Sequence, residues 1–259
     1  MSNRKPIIAM NWAMRQNKNS DAIAFAEQLV ELLDKDTKTE KIIFPSMGTL
    51  QAVAKISNET NIELGAQNIA PYAHGEYSGE YSIESLIDIG GKYVELGHWE
   101  RRTLFGETDE LINKKAKLIL ENNLIPIICV GETDKFESKK EIEEQIRRQL
   151  FNDLLGIEEK KIETIIIAYT PKWAVGKTRA SNAPHVHEVG NLIREILRDI
   201  FSEKTSQIIR VIYGGSVSPE NARLIVEAKS IDGVLIGRFG SNPERYAEVV
   251  KIIEDIKET

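Results

Sequence analysis

Apolar residues in this chain come in short runs separated by longer amphipathic stretches. The runs fall at residues 6–10, 41–44, 62–65, 93–97, 125–130, 163–169, 208–213 and 233–236. Each is too short for a buried helix and reads as a strand covered on both faces. The stretches between them show helical spacing. Ile23, Ala26, Val30 and Leu33 share one face behind Ser20, a good N-cap, and Val249, Ile252, Ile253 and Ile256 do the same near the end. Further helices are predicted over 49–60, 83–89, 109–121 and 139–155, and after Pro184 and Ser218-Pro219-Glu220, where proline suits a first helical turn. Strict strand–helix alternation calls for a parallel sheet covered by helices. About eight such units predict an α/β fold, a single-domain (β/α)8 barrel over residues 1–259, rather than an open doubly wound sheet. No GxGxxG follows the first strand, which weakens a dinucleotide-binding reading. No Pro/Gly/Ser-rich linker divides the chain.

Composition narrows the function classes. With 41% hydrophobic and 29% charged residues the chain is globular, and a net charge of -6 argues against nucleic acid as a partner. No apolar run approaches the ~20 residues that span a bilayer, so no membrane association is expected. The chain opens without a long apolar segment, so no secretory leader is expected. Cys129 is the sole cysteine and lies in the run Ile127-Ile128-Cys129-Val130. No intramolecular disulfide can form, and a cytoplasmic location is the expectation.

In such a barrel the chemistry sits at the C-terminal ends of the strands. Those ends present Asn11, Gln67, His98, Glu100, Glu132, Thr170, Lys172, Ser216 and Arg238. Gly214-Gly215-Ser216 after strand seven and Gly237-Arg238 after strand eight suit a phosphate, because glycine lets main-chain N–H groups approach closely. Arg238 is either a further phosphate contact or a surface residue. His185 and His187, two apart at a helix start, point to different faces and are expected at the surface, as is His74; no metal site is expected. The loop 71–80 is long enough to be functional or part of an interface.

These pieces together resemble the triosephosphate isomerase family. The matching segments are Asn11-Trp12, Gly65-Ala66-Gln67-Asn68, Gly97-His98-x-Glu100-Arg101-Arg102, Phe105-Gly106-Glu107, Cys129-Val130-Gly131-Glu132, Ala168-Tyr169-x-Pro171-x-Trp173-Ala174-Val175-Gly176 and Tyr213-Gly214-Gly215-Ser216-Val217. They cover all eight units in order. Phe44-Pro45-Ser46-Met47-Gly48-Thr49 and Gly237-Arg238-Phe239-Gly240 resemble a branch acting on tetrulose phosphates. The resemblance implies a TIM barrel, aldose–ketose isomerisation of a small phosphorylated sugar through an enediol, no cofactor, and a homodimer in which the loop 72–79 docks on the partner near Ala13 and Arg15. In that family a Glu acts as base and a neutral His as electrophile, an established division of roles. His98 matches the His and Asn11 its neighbour. Gly176, Ser216 and Gly237 match phosphate-loop positions, and residues 171–180 match a mobile lid.

Three positions depart from the pattern. The family's Lys is Ala13, its Glu is Thr170, and a small residue is replaced by Trp99. Thr is far too weakly basic to replace a carboxylate at neutral pH. The expectation is that native isomerase activity is abolished. Because the phosphate loops read as intact, the site resembles one rebuilt, or engineered, around an apolar wall. Two chemistries are then open. Lys172, two residues after Thr170, would point into the mouth by strand alternation and form a Schiff base with a small carbonyl ligand, as in (retro-)aldol chemistry. Glu100, freed of its cation and beside Trp99, would have a raised pKa and act as a general base. The rival is a natural, non-catalytic sugar-phosphate binder.

Overall fold

The computed structural model describes residues 4–33, 37–135, 138–174 and 182–257. Eight parallel strands close into a barrel in chain order: β1 (Ile7–Asn11), β2 (Glu40–Phe44), β3 (Ile62–Ala66), β4 (Tyr93–Leu96), β5 (Ile125–Val130), β6 (Ile166–Tyr169), β7 (Arg210–Tyr213) and β8 (Gly233–Ile236). Pairing of β1 with both β2 and β8 closes the ring. Alternate residues of each strand face the lumen. On β1, Ile7 and Ala9 join the inner cluster, with Phe44, Tyr93, Cys129 and Ala168, while Ile8 and Met10 pack under the helices. Gly65 leaves the space that the Phe44 ring fills. Most positions on both faces of the strands are therefore apolar, which is why the runs look uniform in sequence. No helix among the described residues is long and apolar enough to cross a membrane.

The predicted elements differ from the observed ones mainly at their ends. The helix placed at 49–60 is a 3-10 turn, Met47–Thr49, followed by an α-helix, Leu50–Ser57. Residues 163–165 are not strand. They follow a short helix, Glu159–Ile162, whose exit is closed by Thr164 N donating to Lys161 O. The run predicted as strand from 208 begins in a helix, Glu203–Ile208, capped by the Ser202 side chain. A one-and-a-half-turn helix, Trp99–Leu104, follows His98 directly.

Candidate active site

The end of β1 makes a tight polar turn. Asn11 Nδ2 donates to Glu95 Oε2 at 2.7 Å, and Asn11 Oδ1 accepts from Ala13 N at 2.6 Å. Ala13 has a φ of +47°, a conformation that non-glycine residues adopt at a cost. Its carbonyl is pinned by Ser46 Oγ at 2.7 Å and Gln67 Nε2 at 3.0 Å. The Arg15 guanidinium folds back so that Nη2 donates to Asn11 O at 2.6 Å.

Gly97, with a φ of +68°, ends β4 and turns the chain so that His98 occupies the N-cap position of the next helix. Glu100 lies in the first turn, where a carboxylate is favoured by the helix dipole. Its Oε2 is 3.5 Å from His98 Nδ1. The two rings of His98 and Trp99 are 6.0 Å apart. Asn11, Ala13, Arg15, His98, Trp99 and Glu100 share a cavity of about 200 Å3 with Gly214, Gly215, Ser216, Gly237 and Arg238. The structure thus brings together residues from β1, β4, β7 and β8 that the sequence separates by more than two hundred positions. Gly176 lies outside the described residues.

Thr170 and Lys172 are not in that cavity. With Trp99, they line a separate crevice of about 20 Å3. Thr170 is buried, and its methyl faces Gly214, where a Cβ would come within 2.5 Å of it. Lys172 is half-buried, with Nζ 5.9 Å from the Trp99 ring centre. The alternation that would aim Lys172 into the mouth fails because β6 ends at Tyr169 and Lys172–Ala174 is a 3-10 turn. Behind the crevice, the buried Glu132 carboxylate accepts from Tyr169 OH and Trp173 Nε1, both at 2.8 Å. His185 is not the surface residue expected from sequence. The helix it opens, Ala183–Ile200, starts over β6 with Asn182 as cap, which places His185 Nε2 3.0 Å from Tyr169 OH and 3.6 Å from Glu132 Oε1. His74 is exposed, as expected.

A family model described as triosephosphate isomerase matches residues 6–253. The chain belongs to the triosephosphate isomerase family. It is 39% identical over 248 residues to the triosephosphate isomerase of Dictyoglomus turgidum (strain DSM 6724 / Z-1310), a match covering 96% of this chain and 99% of that one. It is 37% identical over 254 residues to the probable triosephosphate isomerase 2 of Listeria monocytogenes serotype 4b (strain F2365), covering 98% and 99%.

Against the roles that membership in the triosephosphate isomerase family implies, the charges in this pocket are rearranged. Burial pulls the His98 pKa down, but the contact with Glu100 and the charges of Glu95 and Glu100 outweigh it and hold the imidazole above its ordinary value. Glu100 shifts opposite to the sequence expectation. Its contact with His98 lowers its pKa despite partial burial, and Arg15 adds to the lowering. With alanine at position 13, Arg15 is a cation lining the same cavity. Neither Glu95 nor Arg15 was singled out in the sequence as a pocket residue. The signal for Glu95 is a lone carboxylate inside an apolar strand; Arg15 carries none beyond its proximity to Asn11.

Proposed function

We propose that this chain binds a small phosphorylated sugar in the 200 Å3 cavity and does not isomerise it. The observation that carries this reading is position 170. No carboxylate is present there, and Thr170 is buried at the end of β6. Position 13 supports it: the strained backbone that would present a functional side chain is retained, but it presents a methyl. Each lost acid–base group removes roughly 10²–10⁴-fold in rate. Gly214, Gly215, Ser216, Gly237 and Arg238 supply the phosphate-binding elements, with Arg238 as a charge-assisted donor. Ala13 and Trp99 face the same cavity, and Trp99 also borders Thr170, so we read the three as a pocket altered as a unit.

A second reading, proton abstraction by Glu100, is favoured by its place beside His98 and Trp99 in that cavity. Its lowered pKa keeps it ionised at neutral pH and makes it a weak base. Loss of any detected proton-transfer activity in Glu100→Gln would support this reading; retention would remove it. Lysine-based carbonyl chemistry has less support, because Lys172 lies in a crevice of about 20 Å3.

In this reading the protein is a cytoplasmic homodimer. A groove of about 870 Å3 beside the pocket, lined by residues including Met14, Ser46, Gln67, Tyr81 and Phe105, is wide enough for a loop such as 72–79. Met14 is 82% and Phe105 67% exposed in the single chain. Sedimentation at low concentration tests the dimer. Calorimetric titration with inorganic phosphate, compared with Arg238→Ala, tests the ligand class; roughly tenfold weaker binding is expected for loss of one charge-assisted contact.

A further inference from the structure

Glu95 is 1% exposed and lies on β4 between the outward-packed Val94 and Leu96, so its side chain turns inward with that of Tyr93. It sits under the floor of the cavity, between Asn11 of β1 and Cys129 of β5. An interior carboxylate is costly unless it is hydrogen-bonded and charge-paired. Here it has one short hydrogen bond, from Asn11 at 2.7 Å, and a weak contact with Cys129 Sγ at 3.8 Å. We propose that Glu95 is a positioning residue of the pocket, fixing the direction of the Asn11 amide, and that its ionisation is coupled to that of His98, three residues further along the same chain segment.

The first half of the proposal follows from hydrogen-bond accounting. An Asn amide has one oxygen and two N–H groups. Asn11 Oδ1 accepts from Ala13 N, and one Nδ2 proton goes to Glu95. Flipping the amide would oppose Nδ2 to the Ala13 N–H and Oδ1 to the carboxylate. The orientation is therefore locked, and the second N–H is left for the cavity that Asn11 lines. There it suits an oxygen of a bound ligand.

The second half follows from the surrounding charges. Asn11, reaching across the lumen from β1, and Cys129, from the neighbouring β5, are uncharged. His98 acts favourably on Glu95, and Glu100, from the helix above, acts unfavourably. The nearby Arg102 is already committed to Asp109 and Asp153. Burial pushes the Glu95 carboxyl up, against the lowering by His98, Asn11 and Cys129, while Glu95 in turn raises His98. The two groups therefore titrate as a linked pair. The inference rests on the proposed reading of this cavity as the ligand site, but its main readout needs no ligand.

The test is an NMR titration of the His98 imidazole in the full-length protein and in Glu95→Gln. Gln keeps the shape and can still accept from Asn11, but removes the charge. The His98 midpoint is expected to fall by roughly one pH unit, the scale on which a charge within ~10 Å moves a buried neighbour. An unchanged midpoint overturns the proposal. If Glu95→Gln does not fold, the side-chain carboxyl carbon of Glu95 is followed in the unaltered chain. It is expected to shift as His98 titrates, and no shift there overturns the proposal equally. In Glu95→Leu the Asn11 side-chain amide proton that donates to Glu95 should also move towards the chemical shift of an unbonded amide. A failure of inorganic phosphate to bind the unaltered chain would remove the ligand reading while leaving the His98 result standing.

Discussion

Replacing Ala13 by glycine should stabilise this protein, although the substitution removes a methyl and adds no contact. Ala13 is held at a φ of +47° by its N–H donating to Asn11 and its carbonyl accepting from Ser46 and Gln67. A left-handed conformation costs a residue with a Cβ about 1–2 kcal/mol, and glycine is free of that cost. Glycine also makes the unfolded chain more flexible, which costs about 0.4–1 kcal/mol of stability. The difference leaves a net gain of about 0.5–1 kcal/mol. For a chain of this size that corresponds to a rise in Tm of roughly 1–4 °C. The assay is thermal unfolding at matched protein concentration, since any self-association would shift Tm by mass action. A loss of about 1 kcal/mol or more in Ala13→Gly would refute the reasoning, because the turn would then be unstrained. Ala13→Lys should show no such gain, because it keeps the Cβ.

Three further outcomes follow from the geometry. Tyr169→Phe removes one of two strong donors to the buried Glu132 and should cost about 1.5–3 kcal/mol in urea unfolding, whereas a cost under 0.5 would mean that water replaces the hydroxyl. The His98–Glu100 contact should support folding most strongly between the unfolded pKa values of the two groups, about pH 4.3 to 6.5. Its Glu100 part is lost as pH falls through that group's lowered folded value, and its His98 part as pH rises through the raised one. The urea midpoint difference between the unaltered chain and Glu100→Gln should therefore peak in that window, and a flat difference would contradict it. Borohydride reduction in the presence of a small aldehyde should leave Lys172 unmodified, and an adduct there would restore the Schiff-base reading.

The barrel was legible because strand–helix alternation leaves little choice of architecture, and the strand ends then named most of the pocket. Which face of each strand meets the lumen was not legible. Parallel strands are apolar on both faces, so the pattern gave no sign that Glu95, rather than Val94 or Leu96, points inward. The placement of Lys172 failed for a different reason: period-two reasoning holds only within a strand, and β6 stops at Tyr169. His185 was misplaced because helix periodicity says which residues share a face, not which face meets the barrel mouth. The direction of the Glu100 shift depended on its carboxylate reaching back to the His98 ring, a contact set by the turn after β4, with Arg15 adding to it.

The proposed binding of a sugar phosphate without isomerisation rests on the absence of a lysine at position 13 and of a carboxylate at position 170. It is tested most directly by measuring isomerase turnover of triose and tetrulose phosphates by the unaltered chain beside one carrying Ala13→Lys and Thr170→Glu. Turnover is expected in the double variant only, with a difference of at least roughly 10²–10⁴-fold. Comparable turnover by the unaltered chain would contradict it and place the base elsewhere in the cavity, with Glu100 the first residue to examine.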